Sequence, residues 1–263
     1  MFKADYLLAA ALVAVFFAYS LGFGGPLLFD DFGAIAANPL LKFDGTLFDQ
    51  WRTAALSSNS GPLGRPIAMF SFALNSVAAG EVSPYAIKLV NGLLHGVVGI
   101  FVYLLAQPLF ARVYPLRGAE GARWLALLAA AIWLLHPLHV STVLYAVQRM
   151  AQLATLFTLM GLWLFVRYRQ RFAVEGASGG ELAAAALWLA LLTGLAAYSK
   201  ENGALLPVLV LVLEVRFFRG EWAGRACPPL RIAGVAALGL FFAVLLACMF
   251  VPPEFLVERF ARR

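Results

Sequence analysis

The chain has 263 residues, of which 62% are hydrophobic and only 13% are charged. Because soluble domains carry about 25% charged residues, this composition excludes an ordinary soluble protein and indicates an integral membrane protein. The net charge of +6 does not predict nucleic-acid binding, since the basic residues lie in short segments between apolar runs. The two cysteines, Cys227 and Cys248, show neither a disulfide framework nor metal-ligand spacing.

Seven apolar runs have the composition of transmembrane helices, which need about 20 mostly apolar residues. In chain order they are residues 6–23, 86–110, 124–135, 147–166, 182–198, 204–218 and 232–251. The third run is short, and starting it at Gly118 lengthens it. The fifth and sixth runs are separated only by the polar residues 199–202, which favours a helical hairpin over one long bent helix. A cleaved signal peptide is the alternative for the first run, although no clear cleavage site precedes Pro26.

The distribution of Lys and Arg predicts that the N-terminus is cytoplasmic. In this orientation more than half of the 20 basic residues fall in four cytoplasmic segments: Lys3; Arg112, Arg117 and Arg123; Arg167, Arg169 and Arg171; Arg216, Arg219, Arg225 and Arg231. The first loop, residues 26–84, then lies outside the cytoplasm. Its apolar pieces, residues 29–35 and 67–74, predict short helices on the membrane surface or packed on the bundle. The expected fold is one all-α membrane domain, residues 1–263, with about seven transmembrane helices.

Two pairs of polar residues that could carry chemistry lie on the external side. Asp30 and Asp31 follow the first span, and adjacent carboxylates accept a proton or coordinate a divalent cation such as Mg or Mn. A solvated helix end with an aspartate cap is the alternative. His136 and His139 follow the third span, but a zinc site would need a third ligand, and none is suitably spaced. Histidines that only form hydrogen bonds are the alternative there.

Two further groups lie on the same side. Arg149 stands between Gln148 and Gln152 at the start of the fourth span, where it either reaches back to the interface or faces a polar pocket and binds an anion. Lys200 and Glu201 separate the fifth and sixth spans, either as an interfacial ion pair or as a cation for a phosphate with its orienting neighbour. Together the four groups place carboxylates, imidazoles and cations on one membrane face, which suits an anionic lipid head group and a nucleophile that needs a base.

Five segments carry a resemblance to a known superfamily: FDDFGAIAANP, RPIAMFSFALN, YAIKLVNGLLH, HPLHVSTVLYAVQRMAQLATLF and YSKENGALLPVLVLVLE, which begin at residues 29, 65, 85, 136 and 198. By their order and spacing the chain resembles the GT-C glycosyltransferases, which take a sugar from a polyprenyl-phosphate carrier. Within them it is most similar to bacterial relatives of the transmembrane O-mannosyltransferases that carry tetratricopeptide repeats. The chain resembles their N-terminal membrane module, so a further C-terminal part is expected to be absent.

The resemblance implies an inverting glycosyltransferase of the bacterial inner membrane with a periplasmic active site and a protein or glycan acceptor. One aspartate is the implied catalytic base, and we favour Asp31 over Asp30. The implied surroundings of the carrier phosphate are His136, His139, Arg149, Lys200 and Glu201, to which we add Gln148 and Arg65. A divalent cation is possible but not required. The alternative functions are a transporter or flippase for lipid-linked glycans and a non-catalytic, truncated membrane subunit.

Overall fold

The structure is a computed structural model that describes residues 3–58 and 60–249. It is 79% helical, which confirms the all-α prediction. In chain order the α-helices are α1 Lys3–Ser20, α2 Phe48–Ala55, α3 Pro66–Ala79, α4 Pro84–Val113, α5 Gly118–Leu134, α6 His139–Leu144, α7 Arg149–Glu175, α8 Gly179–Ser199, α9 Leu206–Leu213 and α10 Pro228–Met249. Short π-helices lie at Phe32–Ala36 and Glu214–Phe218, and one small hairpin pairs β1, Glu221–Trp222, with β2, Arg225–Ala226.

Four helices in the described part of the chain are long and apolar enough to cross a membrane: α1, α4, α8 and Ala146–Glu175, which contains α7. At about 1.5 Å per residue, even the 18-residue α1 is about 27 Å long, close to the hydrocarbon thickness of a bilayer. These four correspond to the first, second, fourth and fifth predicted spans. The third is the 17-residue α5, which begins at Gly118 as its extended form predicts. The total of seven spans stays a prediction.

The other two predicted spans are interrupted or only partly described. The sixth is divided between a 3₁₀ turn at Glu201–Leu205, the eight-residue α9 and the π-helix Glu214–Phe218. The seventh corresponds to α10, but residues 250 and 251 at its predicted end lie outside the described residues. The chain divides into two compact units, Met1–Tyr168 with Ser178–Leu206 and Arg169–Ala177 with Pro207–Arg263. The prediction of a single domain is not tested by this division.

In the first unit, α1, α4 and α5 pack through small residues. Ala126 and Ala130 of α5 are fully buried beside Leu134, and Gly99 of α4 lies so close to Leu134 that a β-carbon there would clash. Gly92 of α4 makes a similar close approach to Phe23. Small residues let helix backbones approach closely, which is the main source of packing energy between helices in a membrane.

Residues 26–84 form a folded layer on the helices rather than an open loop. Leu41, Met69 and Phe72 are fully buried in one apolar cluster with Ile87 of α4 and Met150 of α7. Burying a side chain of this size stabilises the fold by about 1.5–3 kcal/mol. The layer contains the π-helix Phe32–Ala36, α2 and α3. The apolar piece 67–74 is therefore helical, and the piece 29–35 is helical after its first residue, which lies in a turn.

The second unit is organised by a buried ion pair. The Arg169 guanidinium donates from Nη2 to Oε1 of Glu214, 2.7 Å away, and to the backbone carbonyl of Glu221, 3.0 Å away. Its guanidinium carbon also lies 5.0 Å from the Phe218 ring centroid. The β1–β2 hairpin follows this pair, with Gly224 in the left-handed region at φ 72°. These contacts hold the hairpin against the end of α7 within the same unit.

Candidate functional site

The segment that leads into α7 gathers groups that are far apart in sequence. Tyr145 and the backbone of Ala146 and Val147 contact the aspartate pair, more than 110 residues earlier in the chain. Met150, one residue into α7, accepts a long hydrogen bond from Arg65, whose guanidinium also pairs with the Glu201 carboxylate. The start of α7 is therefore the place where the first loop and the turn after α8 meet.

Asp31 is fully buried, and its carboxylate is occupied by the backbone. It accepts hydrogen bonds from Val147 N–H at 2.8 Å, Leu28 N–H at 3.0 Å and Ala146 N–H at 3.3 Å. Hydrogen bonds to an ionised acceptor are about twice as strong as those between neutral groups. Asp31 therefore fastens the first loop to the start of α7, and this geometry does not favour our prediction that it is the catalytic base.

Asp30, the adjacent carboxylate, is exposed. Its backbone N–H donates to the Tyr145 hydroxyl at 3.1 Å, and the ring of Phe29 lies edge-on to the Tyr145 ring. Phe29 has a φ of 43°, which is uncommon for a bulky residue and marks local strain of a kind found at functional sites. Burial and the carboxylates of Asp30 and Asp31 raise the pKa of Tyr145, so its hydroxyl stays protonated.

Lys88 holds the segment before the aspartates, a role that sequence reasoning missed. Its buried ammonium donates to the carbonyl oxygens of Gly25 at 2.7 Å and Pro26 at 2.8 Å. Lysine is almost never fully buried without partners, so these carbonyls account for its burial. The available signal was a lone lysine in the first turn of an apolar span, where the membrane interface is the ordinary explanation.

Arg149 is fully buried, and four neutral oxygens occupy its guanidinium. It donates to Oδ1 of Asn91 and of Asn75, both at 2.8 Å, and to the carbonyls of Ile87 at 2.7 Å and Ser71 at 3.1 Å. The guanidinium carbon lies 4.7 Å from the centroid of the Phe72 ring. This geometry does not favour the predicted contact with a carrier phosphate, because the guanidinium is buried and already donates to four oxygens. Arg149 instead joins α3, α4 and α7.

Arg65 and Glu201 form a half-buried ion pair across the site. Arg65 Nη2 lies 3.0 Å from Oε2 of Glu201, and Nε donates to both carboxylate oxygens at 3.1 and 3.2 Å. Burial alone would raise the pKa of Glu201, but Arg65 and the charge of Lys200 lower it below its usual value. Arg65 sits at φ 50°, and Gly61 lies so close to Glu201 that a β-carbon there would clash.

Lys200 differs from Arg65 because its charge is uncommitted. Its side chain is half-buried, and in the part of the chain that the structure describes the ammonium makes no hydrogen bond or ion pair, although its charge acts on the neighbouring Glu201. Gln148 is also half-buried, and its side chain makes no hydrogen bond to the described residues. Gln152, one turn further along α7, is buried, and neither its amide nitrogen nor its amide oxygen has a hydrogen-bond partner among the described residues. The two glutamines therefore retain hydrogen-bonding capacity near the start of α7, and Lys200 retains it beside Glu201 in the sequence.

The three histidines of the chain lie together near the start of α6. His139 lies 5.1 Å from His95 and 6.2 Å from His136 between ring centroids, and Trp133 stacks on His95 at 4.7 Å. His95 is buried, with Nε2 at 3.0 Å from the Leu134 carbonyl. Burial and the neighbouring His136 lower the pKa of His139, which favours the neutral imidazole. His95 was not among the predicted site residues, because a single histidine within an apolar span forms no motif that predicts a site.

Among the described residues, no further His, Cys, Asp or Glu side chain joins Asp30 and Asp31 to form the predicted metal site. Across residues 3–58 and 60–249, no three or more His, Cys, Asp or Glu side chains are grouped so that they could hold a metal ion. Of the two aspartates, Asp31 already accepts hydrogen bonds from backbone N–H groups. The site can therefore offer one exposed carboxylate, one protonated phenol and one uncommitted ammonium.

Comparison with known proteins finds relatives of one kind. The chain is 30% identical over 208 residues to the mouse (Mus musculus) protein O-mannosyl-transferase TMTC4, covering 75% of this chain and 28% of that protein. The chain is similar to protein O-mannosyl-transferases. It is 32% identical over 174 residues to Tmtc2 of Drosophila melanogaster, covering 62% of this chain and 17% of that protein. For human (Homo sapiens) TMTC4 the identity is 28% over 218 residues, covering 80% and 29%.

The matched region is only part of these relatives. This chain spans less than a third of the length of each. No family model matches the chain, and no solved structure matches it.

Proposed function

We propose that this protein is a membrane glycosyltransferase that moves a sugar from a polyprenyl-phosphate carrier to a hydroxyl group of a protein acceptor. The observation that carries the proposal is the exposed Asp30 carboxylate beside the Tyr145 hydroxyl, in a chain similar to protein O-mannosyl-transferases. A carboxylate that is exposed and held in place by a folded layer can reach an acceptor hydroxyl. A carboxylate saturated by backbone N–H groups, as Asp31 is, cannot do so without losing those bonds.

The proposed reaction is a single displacement of the GT-C type. The acceptor oxygen attacks the anomeric carbon as its proton passes to the Asp30 carboxylate. The bond between that carbon and the carrier phosphate breaks, and the phosphate leaves with the electron pair. One displacement inverts the configuration at the anomeric carbon. Asp31 is then a positioning residue, because it fixes the backbone from which Asp30 projects.

The leaving phosphate needs positive charge nearby, since negative charge develops on it as the bond breaks. Lys200 is suited to this role because its ammonium is half-buried and uncommitted. Its neighbour Glu201 forms its ion pair with Arg65, and among the described residues no ion pair joins Glu201 to the Lys200 ammonium. His136 is exposed and Gln148 half-buried, and both retain hydrogen-bonding capacity for the carrier. Arg149 is not part of this proposed phosphate site, because its guanidinium is fully buried.

The direct test is a transfer assay on the purified chain with a polyprenyl-phosphate-linked mannose and a Ser/Thr peptide. Asp30→Asn should lower turnover about 10²- to 10⁴-fold, the usual contribution of general-base catalysis. Binding of the carrier should stay near normal, because Asn keeps the size of the side chain. Glu120→Gln removes one carboxylate from the exposed first turn of α5 and should leave turnover unchanged. Near-native transfer by Asp30→Asn would contradict the proposal and favour a transporter or a non-catalytic subunit.

The proposed orientation has a cytoplasmic N-terminus and seven spans in a bacterial inner membrane, with Asp30 on the periplasmic face. Its support is the concentration of Lys and Arg in four short segments. In a background without Cys227 and Cys248, Ser60→Cys should react with an impermeant thiol reagent from outside intact cells. Gly180→Cys, at the exposed start of α8, should react only after the membrane is opened. The reverse labelling pattern would place the site in the cytoplasm and contradict the orientation.

A further inference from the structure

A cavity of about 610 Å³ lies in the folded first loop, among residues that the proposed chemistry does not use. Its walls come from the segment after the π-helix and from the end of α3, and include Leu41, Phe43, Ser76 and Val82. A second cavity of about 330 Å³ adjoins it and shares Lys42 and Phe43 as a common wall. Volumes of this size are typical of sites that hold a ligand. We call the two cavities together the loop cleft.

The inner end of the loop cleft presents an unpartnered hydroxyl. Ser76 is only 5% exposed, and its Oγ has no hydrogen-bond partner in the structure. A buried hydroxyl without a partner costs about 1–3 kcal/mol, so native proteins rarely retain one without a purpose. Since Ser76 lines the larger cavity, a ligand that enters the cavity can supply the missing partner.

The rim of the loop cleft carries charges that are not used within the chain. Lys42 and Glu81 are both exposed and line the same cavity, yet neither forms an ion pair with a described residue. Asp44 lines the larger cavity too, with Oδ1 held by the N–H and hydroxyl of Thr46 at 3.1 and 2.8 Å. Asp49 lines the smaller cavity. Three carboxylates against one ammonium favour a ligand with positive charge.

The shape of the loop cleft favours an extended polypeptide. In an extended chain alternate side chains point to the same side and are roughly 7 Å apart, so two adjoining cavities can each receive one of them. The cleft is also connected directly to the proposed base. Ala36, which lines the larger cavity, ends the π-helix that begins one residue after Asp31. Ala36 is six positions after Asp30, so their α-carbons lie within about 22 Å of one another.

We propose that the loop cleft binds an extended, basic polypeptide segment with a hydroxyl or amide partner for Ser76. Resting on the proposed function, that segment is the flank of the acceptor whose hydroxyl is glycosylated at Asp30. The cleft would then select acceptors by lysine or arginine near the modified residue. This binding needs neither a sugar donor nor transfer, so it can be measured apart from catalysis.

The test uses the purified chain in detergent and a short, fluorescein-labelled peptide of alternating threonine and lysine, followed by anisotropy. A matched peptide with glutamate in place of lysine should bind at least about 5-fold more weakly. Ser76→Ala should weaken the lysine peptide about 2- to 10-fold, the usual range for one hydrogen bond. Glu81→Lys should abolish the preference between the two peptides, because it leaves two carboxylates and two ammonium groups around the cleft. Glu120→Gln is the matched control and should leave both affinities unchanged.

Neither Ser76→Ala nor Glu81→Lys is expected to change the stability of the fold. Ser76→Ala removes an unpartnered hydroxyl and Glu81 is exposed, so both variants should elute and melt as the parent does. Equal binding of both peptides, with no change in Ser76→Ala or Glu81→Lys, would overturn the proposal. Binding of a neutral oligosaccharide that Ser76→Ala weakens, without peptide binding, would also overturn it and identify a glycan site. If the peptide binds as expected while Asp30→Asn transfers the sugar normally, the proposed peptide site is supported and the proposed function is contradicted.

Discussion

The polar side chains around the start of α7 fall into a buried set and an exposed set. Asp31, Lys88 and Arg149 are almost completely buried, and backbone or amide groups of the chain itself occupy their charges. Asp30 is exposed and Lys200 half-buried, and the Lys200 ammonium is uncommitted among the described residues. A charge that is buried costs several kcal/mol unless its hydrogen bonds are made, so the buried set has no capacity left for a substrate. The exposed set is where a ligand can bind.

The aspartate pair shows this difference at adjacent positions. Asp31 accepts three backbone N–H groups, whereas the Asp30 side chain projects from the surface beside Tyr145. The two carboxylates have the same chemistry, so our proposal that Asp31 is structural and Asp30 is the base rests on the difference in their surroundings. After the Asp30 assay, whose expected effect is the largest, variants of the buried set offer the next strongest test of this division.

Replacing Arg149 should destabilise the fold more than any other change in the buried set. Arg149→Met leaves four oxygens without their donor, and each orphaned buried acceptor costs about 1–3 kcal/mol. We therefore expect a loss of at least about 3 kcal/mol, measured as thermal unfolding in detergent. Arg52→Met, at an exposed position in α2, should change stability by less than about 0.5 kcal/mol. A stable Arg149→Met variant that fails to bind the carrier would indicate that Arg149 contacts the carrier phosphate.

Asp31→Asn should have a smaller effect of the same kind. The amide keeps one acceptor oxygen but turns its NH₂ group toward backbone N–H donors, so the expected cost is about 2 kcal/mol. Turnover per folded molecule should fall less than 10-fold, because Asp31 acts on Asp30 only through the backbone. The measurement pairs a melting curve with transfer normalised to folded protein. A variant that melts normally but has lost transfer would identify Asp31 as the base and reverse our assignment.

The sequence predicted the elements of the fold better than their polar partners. Apolar runs are local patterns, and helices long enough to cross a membrane are present where four of them were expected. The partners of Arg149 come from α3 and α4. Asn75 lies 74 residues before Arg149 and Asn91 lies 58 residues before it, so no local sequence pattern predicts these contacts. Neighbouring glutamines suggested a polar pocket, but the pocket is filled by asparagine and backbone oxygens.

The same limit applies to the roles of single residues within the candidate site. Asp30 and Asp31 are indistinguishable in sequence, because which one is buried depends on where the backbone of Ala146 and Val147 lies. The loop cleft was also not predicted. It is formed by the end of α3 and a segment more than thirty residues earlier, and only their packing leaves the Ser76 hydroxyl facing a cavity.

The ion pair between Arg65 and Glu201 offers the smallest and most specific test, because it lies at the boundary between the two sets. Their side chains are 21% and 28% exposed, so a double-mutant cycle of Arg65→Met and Glu201→Gln should give a coupling of about 0.2–1 kcal/mol at pH 7. The pKa of Glu201 is lowered in the folded state, so this contribution is fully present above the unfolded value of about 4.3. It should disappear as the pH falls through the lower, folded pKa. Thermal melts of the four proteins between neutral pH and pH values below 4 measure the coupling directly. A coupling that stays constant across that range would mean that Arg65 and Glu201 stabilise the site by packing rather than by charge.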